Sequence, residues 1–115
     1  MYRIFFYKKN SGVIPVKELL IELKNKNDKN SRINLKKISD TLNKMKICGL
    51  NVGMPNIRHL EDDIWEIRAN SYRILFFVKN DEIVLLHYFI KKTNKTPLSE
   101  KQMARKEKER YLKEK

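Results

Sequence analysis

Residues 57–90 read IRHLEDDIWEIRANSYRILFFVKNDEIVLLHYFI, and apolar side chains recur along most of this stretch at every second position. Such alternation is typical of β-strands. Short polar breaks divide the stretch into four candidate strands, at 57–60, 64–69, 72–78 and 82–90. Strands joined by such short connections are antiparallel neighbours. The stretch therefore predicts the main part of an antiparallel sheet.

Further elements are predicted on both sides of this stretch. Residues 2–7 are dense in aromatic and β-branched side chains and predict an opening strand. Two apolar stripes with helical spacing follow, over Val16, Leu19, Leu20 and Leu23 and then over Leu35, Ile38, Leu42 and Met45. Asn30 or Ser31 is predicted to cap the second of these helices. Ser99 and Gln102 fit a capping box, which predicts a basic C-terminal helix over about 99–113.

These elements predict one small α+β domain over residues 1–115, in the order β-α-α-β-β-β-β-α. The sheet is expected to be antiparallel-rich. We expect the helices to lie on one face of it and the other face to be free.

The charge of the chain is strongly positive and unevenly placed. The 115 residues include 26 Lys and Arg against 14 Asp and Glu, which gives a formal net charge of +12. The excess lies before residue 61 and after residue 90, while residues 61–90 are acidic overall. So much positive charge on a small domain attracts polyanions, of which nucleic acid is the commonest. Solvated, lysine-rich helix faces would give the same composition.

Cysteine content, hydropathy and motifs narrow the class of protein. Cys48 is the lone cysteine, so no internal disulfide can form. No apolar run is long enough to span a bilayer. The two histidines lack the spacing of a zinc site, and neither a phosphate-binding glycine motif nor a catalytic serine motif is present. We therefore expect a cytoplasmic protein without metal, cofactor or membrane.

Strand pairing predicts which side chains share the free face. If Ala69 pairs with Tyr72 across a turn at Asn70 and Ser71, then Arg68 lies opposite Arg73 and Glu66 lies opposite Leu75. The opposite face then receives the apolar set and suits packing under helices. This set is Trp65, Ile67, Tyr72, Ile74, Phe76 and Val78.

The last strand can be placed in two ways. An odd-numbered loop around residues 79–81 puts Val84, Leu86, Tyr88 and Ile90 in the core under the helices. It also brings His87, Phe89 and Lys91 onto the face of the two arginines. A two-residue turn would reverse this and bury His87 and Lys91, so we favour the odd loop.

The resulting cluster of cations suits chemistry on a phosphodiester. Guanidinium groups bind phosphate in a fixed fork and stabilise the extra negative charge of a phosphorane. RNA supplies its own nucleophile, the 2′-hydroxyl, so cleavage needs alignment and proton transfer. Glu66, His87 or a lysine is predicted to accept the proton, while Arg68, Arg73 and Lys91 hold charge on the phosphate. Phe89 or Tyr72 is predicted to stack on an unpaired base.

These residues also have ordinary structural interpretations. In such an interpretation, Glu66 only forms a cross-strand ion pair with an arginine. The structural interpretation is favoured for His87, as a half-buried sheet histidine. It is also favoured for Lys91 and Lys92, which taken alone indicate a solvated strand end.

Residues 57–105 resemble the HigB-like branch of the RelE/ParE superfamily of bacterial toxins. The resemblance rests on the motifs L-x-x-x-I-W-E-I-R (60–68), Y-R-I (72–74) and H-Y-F-I-K-K-T-N-K-T-P (87–97), with Ala104 after them. It implies a RelE-like microbial RNase fold and an mRNA endoribonuclease that acts on the ribosome. It also implies a toxin that is neutralised by a cognate helix-turn-helix, HigA-like antitoxin, and operator DNA would be bound only through that antitoxin.

The residues and the resemblance together predict a site. The predicted catalytic residues are Arg68, Arg73, Lys91, Lys92, Glu66 and His87. The predicted RNA-binding residues are Lys95, Asn94, Phe89, Tyr72 and Arg105. Two other functions remain open: a ParE-like toxin that binds DNA gyrase, and a non-catalytic RNA-binding module.

Overall fold

The computed structural model describes residues 1–114; Lys115, the last residue of the predicted domain, lies outside the described residues. The elements are β1 (Arg3–Phe6), α1 (Pro15–Asn25), α2 (Lys29–Cys48), a short 3-10 turn (Gly49–Val52), β2 (Ile57–Glu61), β3 (Ile64–Ala69), β4 (Tyr72–Lys79), β5 (Glu82–Ile90) and α3 (Leu98–Lys113). The strands form one sheet in the order β1-β5-β4-β3-β2. β1 runs parallel to β5, and the other pairs are antiparallel. The predicted α+β class and element order are confirmed.

Three tight turns connect β2 to β5. Each turn begins with a residue in the left-handed region: Asp62 at φ 47°, Asn70 at φ 54° and Asn80 at φ 56°. Asp and Asn tolerate this conformation better than other residues with a Cβ, because their short side chains can bond locally. The positions of these residues in the sequence therefore set where the chain reverses.

The helices α1 and α2 cover one face of the sheet. Both predicted stripes point inward, and the buried core includes Leu19, Leu23, Ile38 and Met45 packed against Ile74 and Phe76. The predicted cap of α2 was wrong. Asp28 caps the helix, because its carboxylate accepts hydrogen bonds from the Ser31 backbone N–H at 2.9 Å and from the Ser31 hydroxyl at 2.8 Å.

The helix α3 packs on the opposite face, so the prediction of a free face was wrong for half of that face. Ala104 is fully buried there, in a second core with Leu75, Phe77 and Leu86. The ring of Tyr111 meets the ring of Phe77 edge-on at 5.9 Å. The Ser99–Gln102 capping box does not form either. The helix begins one residue earlier, at Leu98, which places Ser99 inside the first turn rather than at the cap.

A β-bulge in β5 replaces the expected odd loop. Lys79 pairs with Glu82, so the β4–β5 turn has two residues, and the odd-loop prediction was wrong. The register then shifts after Leu85, so that Leu75 lies opposite His87. The extra residue, Leu86, changes the face of every residue after it. As a result His87 and Phe89 still share the face of Arg73, while Val84 and Leu86 lie on the α3 side and not under α1 and α2.

Across residues 1–114, no helix combines the length and the apolar character needed to cross a membrane.

Candidate nucleic-acid interface

Arg68 and Arg73 lie side by side on the end of the face that α3 leaves open. They are Cα partners across β3 and β4, and Glu66 is the partner of Leu75, as predicted. Together they border a groove of about 260 Å³, which we call the arginine groove. Its lining is Lys37, Pro55, Asn56, Arg68, Asn70, Arg73 and Lys91. Among the described residues of this lining, four are cations and none is a carboxylate.

One buried carboxylate lies beside the two arginines. Glu66 is 1% exposed, and its Oε2 atom is 3.9 Å from the Nε atoms of both Arg68 and Arg73. Its other oxygen accepts a hydrogen bond from the Thr96 hydroxyl at 2.8 Å. A single negative charge shared at this distance leaves the groove positive. Glu66 therefore positions the two guanidinium groups and ties the loop before α3 to the sheet.

The two arginines differ in how firmly they are held. Arg73 is nearly buried, and its Nη1 donates to the carbonyl oxygens of Asn70 at 2.7 Å and Tyr72 at 2.9 Å. Burial, and then the charge of Arg68, lower the pKa of Arg73 below the ordinary value for arginine. The Arg68 side chain keeps 27% of its surface exposed. Arg68 is thus the guanidinium that a ligand in the groove can meet directly.

The structure does not bring His87 to the arginine groove. The bulge turns its ring to the expected face, but α3 covers it there. Its Nδ1 lies 2.5 Å from Glu107 Oε1, and its Nε2 lies 3.0 Å from Glu100 Oε1. Both ring nitrogens contact carboxylates of α3, and His87 and Glu107 form a buried polar contact between helix and sheet. Within the part of the chain that is described, no three His, Cys, Asp or Glu side chains are grouped to hold a metal ion.

The other predicted residues are dispersed. Tyr72 lies on the α1–α2 face, with its ring 6.2 Å from that of Tyr88, because it alternates with Arg73 along β4. Phe89 lies opposite Arg73 but packs against the α3 core. Lys92 and Asn94 are exposed in the loop that leads to α3, outside the lining of the arginine groove. Arg105 pairs with Glu61 at 2.8 Å.

A second cationic groove lies beside the first, and sequence reasoning missed it except for Lys95. We call this space of about 300 Å³ the lateral groove. Its lining is Arg58, His59, Leu60, Lys95, Thr96 and Lys101. A bulge at Leu60 in β2 makes Arg58, rather than His59, the partner of Glu66. Lys37 was missed as well, since it lies off the apolar stripe of α2 and nothing in the helical period distinguishes it from other solvated lysines.

Comparison with known families matches residues 21–109 to the model described as Phage derived protein Gp49-like (DUF891). The chain belongs to this Gp49-like family. No curated protein matches it.

Solved structures share the fold of this Gp49-like chain. A chain of the YoeB-YefM complex from Staphylococcus aureus matches with a TM-score of 0.54 and 16% identity, over 79% of this chain and 98% of that chain. A chain of the heterotetrameric YoeB-YefM toxin-antitoxin complex from the same organism matches with a TM-score of 0.52 and 16% identity, over 76% of this chain and 93% of that chain. The predicted RelE-like fold is confirmed.

Proposed function

We propose that this Gp49-like chain is the toxin of a type II toxin–antitoxin module, of the HigB-like branch, and acts as a metal-independent mRNA endoribonuclease on the ribosome. The observation that carries the proposal is the arginine groove, where Arg68, Arg73, Lys37 and Lys91 converge on one open space. The shared fold with chains of toxin–antitoxin complexes supports it. The net charge of +12 adds long-range attraction to RNA.

The proposed reaction is a transfer of phosphate within the RNA strand. The 2′-hydroxyl oxygen forms a bond to the adjacent phosphorus, and the bond from phosphorus to the 5′-oxygen of the next nucleotide breaks. The products are a 2′,3′-cyclic phosphate and a free 5′-hydroxyl. Arg68 and Lys37 stabilise the charge on the non-bridging oxygens, while Arg73 holds the turn on which the groove is built.

Two protons must move during this reaction. The proton of the 2′-hydroxyl is lost to water, and the departing 5′-oxygen gains one. Among the predicted proton carriers, Glu66 and His87 are covered by protein, whereas Lys91 lines the groove. We therefore assign protonation of the 5′-oxygen to the Lys91 ammonium group.

The proposed partners are mRNA, the ribosome and a cognate antitoxin. The antitoxin is a helix-turn-helix protein of the HigA-like type, and the complex binds operator DNA through it. The toxin acts in the cytoplasm, where translated messages are found.

Mapping of mRNA ends tests this function. The chain is induced in growing bacteria with and without its antitoxin, and 5′ ends are mapped on messages bound to translating ribosomes. We expect new 5′ ends inside coding regions, absent when the antitoxin is co-expressed or when Arg68→Ala replaces the wild type. Growth arrest with intact messages contradicts the proposal. Cleaved DNA–gyrase complexes under the same conditions would indicate a ParE-like target instead.

A further inference from the structure

The lateral groove gathers cations from three separate parts of the chain. Arg58 comes from β2, Lys95 from the loop before α3, and Lys101 from α3 itself. Within residues 1–114, neither Arg58 nor Lys95 forms an ion pair. Lys101 Nζ is 3.9 Å from Glu61, whose carboxylate is engaged more closely by Arg105 at 2.8 Å. Of these three cations, only Lys101 has a carboxylate of the described residues nearby, and that contact is long. The three together therefore form a site that can bind an anion.

The two grooves adjoin along both of their walls. On the sheet side, Asn56 lines the arginine groove and Arg58 lines the lateral groove, and two residues of a strand span about 7 Å. The Asn56 carbonyl accepts a hydrogen bond from the Arg68 N–H at 2.8 Å, so this segment is fixed to β3. On the loop side, Lys91 lines the first groove and Lys95 the second. The cations thus continue from one groove into the next.

We propose that the lateral groove is a second phosphate subsite for single-stranded RNA, formed by Arg58, Lys95 and Lys101. The inference rests on the proposed ribonuclease function. A strand whose scissile phosphate lies in the arginine groove places a neighbouring phosphate in the lateral groove. The enzyme therefore requires single-stranded RNA that extends beyond the scissile bond on one side.

A length series of uncleavable RNA tests the subsite. Single-stranded 2′-O-methyl oligoribonucleotides, lengthened one nucleotide at a time, are titrated with the protein by fluorescence anisotropy at several salt concentrations. For the wild type we expect a step in affinity at the length that first reaches the lateral groove. The double variant Arg58→Ala/Lys101→Ala should lose this step, and its salt slope should fall by about 0.7 for each lost phosphate contact.

Matched variants make the result decisive. Lys17→Ala/Lys24→Ala removes the same charge from exposed positions of α1, on the other face of the sheet, and should keep both the step and the slope. Lys95→Ala, an exposed loop substitution that does not disturb β2 or α3, should reduce the step on its own. A full step in the Arg58→Ala/Lys101→Ala protein overturns the subsite while the proposed function stands, provided that Arg68→Ala weakens binding at every length. Equal binding by the wild type and Arg68→Ala at every length overturns the proposed function too.

Discussion

One face of the sheet has a half that α3 covers and a half that it leaves open. Charged side chains are arranged differently in these two halves. Around α3, carboxylates contact basic side chains: Glu100 and Glu107 flank His87, and Asp63 pairs with Lys108 at the surface. In the open half, four cations line the arginine groove, and Glu66, the carboxylate beside them, is 3.9 Å from two guanidinium groups. Contacts of the first kind hold a helix in place. The cations of the open half are only partly neutralised by protein, so they can attract an anionic ligand. We therefore place the function in the open half.

The largest expected effect comes from breaking a pair in the covered half. Glu107→Ala leaves the His87 Nδ1 atom buried without its partner, so we expect the free energy of unfolding to fall by about 3 kcal/mol, the upper end of the range for a buried polar group that loses its hydrogen bond. Urea denaturation followed by circular dichroism measures this. Glu109→Ala is the matched control, since Glu109 lies on the exposed side of the same helix. Equal stability of the two variants would show that the His87–Glu107 contact does not hold α3.

In the open half, Arg68→Ala should affect activity rather than folding. Loss of one preorganised donor to the phosphorane should lower the single-turnover cleavage rate by about 10²–10³-fold, with little change in stability. Cleavage of a message on purified ribosomes gives the rate. Arg32→Ala, an exposed arginine of α2, serves as the control and should cleave normally. An unchanged rate in Arg68→Ala would remove the groove from the chemistry.

Arg73 is expected to contribute to both stability and cleavage. Arg73→Ala removes the donor from the Asn70 and Tyr72 carbonyls, so we expect unfolding to become easier by about 1–3 kcal/mol, in addition to a loss of cleavage. Chemical denaturation of Arg73→Ala beside Arg68→Ala separates the two roles. If both variants unfold at the same denaturant concentration, Arg73 does not brace the turn.

The smallest effect on stability is expected at Asp28. This exposed residue caps α2 and lies outside both halves of the α3 face. Hydrogen bonds from the Ser31 N–H and hydroxyl lower the pKa of Asp28 below its ordinary value. Its contribution to stability is therefore present above the unfolded-state pKa and is lost as the pH falls through the folded-state pKa. Asp28→Ala should lower the denaturation midpoint at neutral pH, and the difference from wild type should shrink in acid.

Asp28→Asn is the control for that titration, because it keeps a side-chain acceptor that does not ionise near these pH values. The difference between Asp28→Ala and Asp28→Asn should stay constant with pH. A difference that grows in acid would contradict the assignment of the cap.

The order of apolar and polar residues was sufficient to predict the register between β3 and β4. It was insufficient to predict the register of β2 and β5. The β3–β4 hairpin has no bulge, so counting outward from Asn70 and Ser71 places Arg68 opposite Arg73 correctly. The strands β2 and β5 each contain one extra residue. In β5 that residue is Leu86, which follows another leucine, so neither alternation nor polarity marks the shift.

Long-range contacts of polar residues were the other part that sequence could not predict. The helix α3 has few apolar side chains, and it docks through Glu107, which meets a histidine 20 positions earlier. The Thr96–Glu66 hydrogen bond spans 30 positions. Periodicity reports which face of an element is apolar, but it carries no information about such partners. The identities of Arg68, Arg73 and Lys91 as groove residues were accessible, whereas Arg58, Lys37 and Lys101 were not.

The hydrogen bond between Thr96 and Glu66 has a mechanical consequence. It attaches the loop that carries Lys91 and Lys95 to the rigid floor of the sheet, at a point between the two grooves. The distance between the grooves is then a property of the backbone and not of how far flexible lysines can reach. Such a protein selects strands whose neighbouring phosphates have the same spacing as the two grooves. A ligand of the same charge with a different distance between its phosphates would bind more weakly.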